Sequence, residues 1–95
     1  MPSITDAARF RCKPGVIETN LEAELVLLDP ETREMFSLNA VGRAIWRALP
    51  ERTVTALATE VTRAFEVAYE PALADVRRIL ADLLAAGLIV ASGDA

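Results

Sequence analysis

A chain of 95 residues fits one domain and buries only about 60 to 68% of its unfolded surface, so its apolar residues must share a single core and no second lobe is left to frame a deep cleft. With 53% hydrophobic and 25% charged residues it has the composition of a folded globular chain, not of a disordered one. Ten Lys and Arg against fourteen Asp and Glu give a net charge of -4, the wrong sign for affinity gained by neutralising phosphates, so no nucleic-acid partner is expected.

Residues 1–15 read as a partly ordered arm, mixing Pro, Ser, Asp and Arg with few large apolar groups and able to supply one short strand. The main domain is expected over residues 16–90, followed by a tail at 91–95. Val16 to Thr19 and Glu24 to Asp29 carry the branched residues that suit strands, punctuated by Pro14-Gly15 and Asn20. Asp29-Pro30-Glu31-Thr32 is turn chemistry, and Arg33 to Leu38 resumes an extended pattern, which together predict a hairpin.

Helical spacing begins after Asn39, a good N-cap, with Val41, Ile45, Ala48 and Leu49 on one face, and Pro50 stops this helix. Thr53 caps a second helix with the apolar stripe Val54, Leu57, Ala58, Val61 and Phe65. Pro71 lies near the first turn of a third, which ends near Gly87 and crowds Leu73, Val76, Leu80, Leu83 and Leu84 onto one face. Leu88-Ile89-Val90 offers a terminal strand. The expected fold class is α+β, a three-stranded antiparallel sheet followed by three helices. A sheet of three strands leaves at least one edge with unpaired amides and carbonyls, and that edge is the first place to look for function.

The chain contains no histidine, which removes the commonest general base, the usual triads and imidazole metal ligands. Cys12 is the only thiol, with no base beside it, and reads as a small apolar residue rather than a nucleophile. A single cysteine closes no intramolecular disulfide and the first eleven residues lack a secretory apolar region, so a reducing cytoplasm is expected. The apolar stretch Ile79 to Val90, interrupted by Asp82, is too short for a membrane span of roughly 20 residues. Glu22 with Glu24, or Asp75 with Asp82, read as solvated surface and not as a metal set; no cofactor is expected. Trp46 and Phe36 read as core, and Arg78 as one side of an i,i+4 pair with Asp82.

The helical half resembles a winged helix-turn-helix through Thr53 to Ala58, the helix after it, and Leu83-Leu84-Ala85-Ala86-Gly87-Leu88-Ile89. A winged-helix DNA-binding regulator is therefore the alternative function. Against it, a reading helix over Pro71 to Ala86 offers only Arg77 and Arg78 beside two Asp.

The stretch from Leu21 through Asp29-Pro30-Glu31-Thr32, then Met35 to Gly42, Ile45-Trp46, Thr53-Val54, Asp75-Val76, Leu80, Leu83 and Gly87-Leu88-Ile89, resembles the PqqD-like family over roughly four-fifths of the chain, Val16 to Val90. Members of that family look like winged helices that bind the leader segment of ribosomally made precursor peptides and present it to a maturation enzyme. The resemblance implies a peptide-binding module with no catalysis of its own, in which the leader adds as an antiparallel strand to the third strand, in a groove closed by the third helix. It places leader-binding residues at Arg33, Glu34, Met35, Phe36, Ser37 and Leu38 on the strand and at Ala72, Asp75, Val76 and Ile79 on the helix. On the helical wheel Ala72, Asp75 and Ile79 lie on one flank and Arg77 and Ala81 on the other; the first flank is taken as the groove side. Asp29-Pro30-Glu31-Thr32 and Ile45-Trp46 look like the stand-alone modules of lasso-peptide clusters. The implied partners are the leader segment and, on a separate chain, a leader peptidase or other maturase; a role as accessory chaperone of a radical maturase is the further alternative.

Overall fold

The computed structural model describes residues 7–49 and 52–91. The start of the arm, Pro50 and most of the tail lie outside the described residues. In chain order the elements are β1 (Phe10–Cys12), β2 (Ile17–Asn20), β3 (Leu25–Asp29), β4 (Glu34–Leu38), α1 (Ala40–Ala48), α2 (Val54–Phe65), α3 (Tyr69–Ala85) and β5 (Ile89–Ala91). The expected α+β architecture is present, an antiparallel three-stranded sheet in the order β2-β3-β4 followed by three helices. A second, two-stranded sheet pairs β1 with β5, Cys12 opposite Ile89 and Phe10 opposite Ala91, so part of the arm is built into the fold. Phe10 is buried there, and the Lys13 amide adds one more bond to the Leu88 carbonyl at 2.8 Å.

Local chemistry sets the element boundaries. The Asn39 side chain accepts the Gly42 amide at 2.9 Å and Thr53 accepts the Ala56 amide at 3.2 Å, each satisfying a donor the helix cannot; such caps are worth about 1 kcal/mol. At the other end of α3, Gly87 takes a φ of 74°, its amide bonds to the Leu84 carbonyl and the Leu88 amide to the Leu83 carbonyl, both at 3.0 Å. That pair of bonds is a Schellman ending, which turns the chain back at once into β5. Leu83 and Leu88, the apolar pair of that motif, are both buried.

The core lies between the three helices and the inner face of the sheet. Along β3 the side chains alternate, with Leu25 and Leu27 buried and Val26 and Leu28 half-buried on the opposite face. Below them pack Leu38, Ile45, Trp46, Leu57, Val61, Val76, Leu80 and Leu83. Trp46 is core, as its position beside Ile45 predicts, and its ring nitrogen is satisfied by donating to Glu18 on β2 at 3.0 Å. Arg43 reaches the same strand end, donating to the Asn20 side chain at 3.1 Å and the Leu21 carbonyl at 3.2 Å. Where α1 crosses the end of β4, a Cβ on Gly42 would stand 2.9 Å from the Leu38 Cδ2 and 3.1 Å from its Cβ, so a larger residue there would force the Leu38 side chain to shift.

Beneath the β3–β4 turn lies one buried carboxylate. Asp29 is 2% exposed; it accepts the Lys13 ammonium at 2.7 Å and the Glu31 amide at 2.9 Å. Lys13 bridges on to Glu31 at 2.8 Å, so the arm is fastened to the hairpin. The Lys13 hydrogen bond, more than the opposing cost of burial, holds the Asp29 carboxyl below its ordinary value of 3.8, while bonds to Asp29 and Glu31 raise Lys13 above 10.5. Asp29 therefore contributes stability that is fully present above the ordinary carboxylate value and is lost as pH falls through its lower folded value. The Lys13 contribution is present below 10.5 and lost as pH rises through its raised value. Thermal melts should find Asp29→Asn less stable than the parent chain near neutral pH, with the gap closing as pH drops below 3.8. A gap of unchanged size across that range would show that the charge of Asp29 contributes nothing.

Candidate functional site

The β3–β4 connection fixes how β4 presents its backbone. Four residues, 30–33, separate the partners Asp29 and Glu34. The turn closes with the Arg33 amide on the Asp29 carbonyl at 2.6 Å, and Arg33 takes a φ of 66°. Arg33 thus belongs to the turn, and the extended segment expected from Arg33 begins one residue later at Glu34. A left-handed residue closing a four-residue loop makes Asp29 and Glu34 a hydrogen-bonded pair of the ladder. On the other side of β3, the Leu21 amide bonds the Glu24 carbonyl at 2.8 Å and sets the opposite phase. Leu25, Leu27 and Asp29 therefore bond to β4, and Val26 and Leu28 to β2.

On β4 itself, Glu34, Phe36 and Leu38 turn their amides and carbonyls toward β3, and Met35 and Ser37 turn theirs outward. Among the described residues no strand pairs with that outer edge. Being two residues apart, Met35 and Ser37 point their backbone groups the same way, giving two donors and two acceptors along one unpaired edge.

Side chains on the strand divide by face. Leu38 is buried in the core, Phe36 is half-buried against it, and Glu34 is exposed at the strand's start. Met35 and Ser37 stand on the outer face; Met35 is 70% exposed, and the Ser37 hydroxyl donates to the Glu24 carboxylate at 2.9 Å. On α3, Asp75 is exposed and lies 3.7 Å from Arg78, which also reaches Asp82 at 3.8 Å. Ala72, Val76 and Ile79 are all buried. The wheel cannot show this, because α3 is covered from several sides, by α2, β5 and α1. The principal contacts of β4 are with β3 and α1, so strand and third helix are not packed tightly on one another.

Of the ten residues expected at the site, the strand thus offers backbone at Met35 and Ser37 and side-chain surface at Glu34, Met35 and Phe36, with Arg33 at the turn. On the helix only Asp75 is exposed, in an ion pair with Arg78, and Ala72, Val76 and Ile79 are buried in the core. An Ile79→Asp change would place a carboxylate in the core and test folding, not binding. Sequence reasoning missed Lys13, which holds the turn that sets the phase of β4. No local pattern links it to Asp29, sixteen positions away in the chain.

The chain belongs to the PqqD family: the family model for coenzyme PQQ synthesis protein D matches residues 24–89. Two solved structures share the fold. One, TbiB1 in complex with the TbiA(beta) leader peptide, superposes with a TM-score of 0.76 at 26% identity, covering 88% of this chain and 99% of that one. The other, lasso peptide synthetase B1 complexed with the leader peptide, gives a TM-score of 0.76 at 25% identity, with coverage of 87% and 99%. No curated protein matches the chain in sequence.

Among the described residues no three acidic or cysteine side chains stand together as a metal site, and no helix is long and apolar enough to cross a membrane. Cys12 is half-buried in β1, with its thiol 3.8 Å from the Trp46 carbonyl. Burial, with a smaller push from the Glu18 carboxylate, raises its pKa from 9.0 to about 11. At neutral pH this thiol is protonated, the reverse of what a nucleophile needs. Alkylation by iodoacetamide at neutral pH should run at least tenfold slower in the folded protein than in denaturant, in line with a thiolate fraction on the order of 100-fold smaller. Equal or faster reaction in the folded state would contradict this assignment.

Proposed function

We propose that this chain is a non-catalytic binding module of the cytoplasm that captures the leader segment of a ribosomally made precursor peptide by strand addition to the outer edge of β4. It then presents the leader to a maturation enzyme on a separate chain, a leader peptidase of a lasso-type pathway. The observation that carries this reading is the unpaired outer edge of β4, with the backbone of Met35 and Ser37 turned out and the half-buried Phe36 between them. Strand addition draws affinity from such main-chain bonds and specificity from the alternating side chains beside them. The two superposable structures, each a complex with a leader peptide, support the class of ligand. In this reading Arg33 and Glu34 flank one end of the bound strand, Leu38 anchors the other, and α3 closes the groove through Asp75 above Ala72, Val76 and Ile79.

The DNA-binding alternative is disfavoured by α3, where Arg78 stands between Asp75 and Asp82 on an acidic chain. A fluorescently labelled leader from a lasso precursor should bind with micromolar or tighter affinity. Met35→Pro deletes one outward amide without touching the β3 ladder, and the leader should bind it about tenfold more weakly or worse, while the variant stays folded. Arg63→Ala, on the exposed side of α2, should leave affinity unchanged. Undiminished binding to Met35→Pro, or binding of duplex DNA with a steep salt dependence in place of the leader, would overturn the proposal.

A further inference from the structure

The outer face of the sheet carries a feature that backbone pairing does not use. Ile17 is the direct partner of Leu28, and Leu28 of Met35, so three apolar side chains stand abreast across β2, β3 and β4. This row lies opposite the core face, for Leu25, Leu27 and Leu38 are the buried set. Ile17 is 49% exposed, Met35 70%, and Leu28 between them is half-buried. Single exposed apolar residues are ordinary; three in register, ending at the sheet's open edge, form a continuous stripe that stops where the next strand would lie. The neighbouring row is different in kind. It runs Thr19, Val26, Ser37, and the Ser37 hydroxyl is held by Glu24, whose carboxylate is exposed.

We infer that this outer face selects the incoming strand, requiring a large apolar residue beside Met35 and a lysine or arginine two positions before it. The inference rests on strand addition to β4 and names which side chains that strand must carry. Because the backbone groups of Met35 point outward, an added antiparallel strand places one residue in a doubly hydrogen-bonded pair with Met35, with its side chain on the same outer face. An apolar side chain there covers Met35 and extends the stripe from three strands to four. In an antiparallel strand the residue opposite Ser37 comes two positions earlier. It stands beside the Glu24 carboxylate, which a cation complements. The residue between them turns to the other face, beside Phe36. The occupant is thus an extended peptide reading basic, any, apolar, and not a second copy of this chain: the cation two positions ahead of Met35 is Arg33, which takes a φ of 66° in the turn and does not lie on the extended strand Glu34–Leu38.

The test is selection from a display library of random peptides long enough to span the five residues of β4, run in parallel on the parent chain and on Met35→Asp. The side chain of Met35 is largely in solvent, so both proteins should melt alike, which is checked first. Peptides retained by the parent chain should share the basic, any, apolar pattern. Those retained by Met35→Asp should keep the first position and replace the apolar residue by Lys or Arg. An apolar-to-Asp change in a parent-selected peptide should weaken its binding to the parent chain about tenfold. If Met35→Asp retains the same residue at that position as the parent chain, the outer row reads nothing and this inference fails, while strand addition stands. If neither protein retains peptides whose binding is lost with Met35→Pro, strand addition fails and the inference with it.

Discussion

Backbone groups that find no partner in the sheet govern this structure. β3 is satisfied on both sides, and β2 is the other edge strand, where Trp46 and Arg43 of α1 hold the Glu18 and Asn20 side chains. The outer edge of β4 is left with amides and carbonyls that only water or another chain can satisfy. Which residues face outward is decided at the turn, where the left-handed Arg33 and its bond to Asp29 set the phase of the ladder. A shift of one residue would turn Phe36 outward and bury Met35, so the presentation of the edge depends on that turn holding its form.

The turn holds because its first residue is tied from two directions. Asp29 accepts an amide from within the loop and an ammonium from the arm, and the arm is in turn fixed by β1 pairing with β5 at the far end of α3. A segment that a reading by composition assigns to a loosely ordered arm therefore carries the cation that closes the hairpin. Cys12, next to Lys13, is immobilised by the same pairing and is kept as a thiol, so the strand that supports the site adds no chemistry to it.

Much of the fold is legible in the sequence because its determinants are local. Asn39 and Thr53 are caps by type and position, Asp29-Pro30 is a turn by its side-chain chemistry, and the stripes of α2 and α3 follow helical spacing. What is not legible is non-local or energetically uncommon. A left-handed arginine leaves no trace, since φ above zero in the chain is ordinarily announced by Gly or Asn. The pairing of β1 with β5 joins the two ends of the domain and follows no local pattern. On α3 a wheel gives a single apolar face, but burial by α2, α1 and β5 together covers Ala72 and Ile79 as well, leaving Asp75 as the exposed member of the expected flank. The candidate strand is legible as the extended segment that follows the Asp29-Pro30 turn, whereas the direction of its amides needs the register.

The most direct test of the account is amide hydrogen exchange on the folded chain with and without saturating leader peptide. Met35 and Ser37 should exchange freely in the unbound protein and become protected in the complex, while Phe36, already in the ladder to β3, should change little. Protection appearing instead at Glu18 and Asn20 on the opposite edge, or confined to Val54–Phe65, with Met35 and Ser37 unaltered, would contradict it.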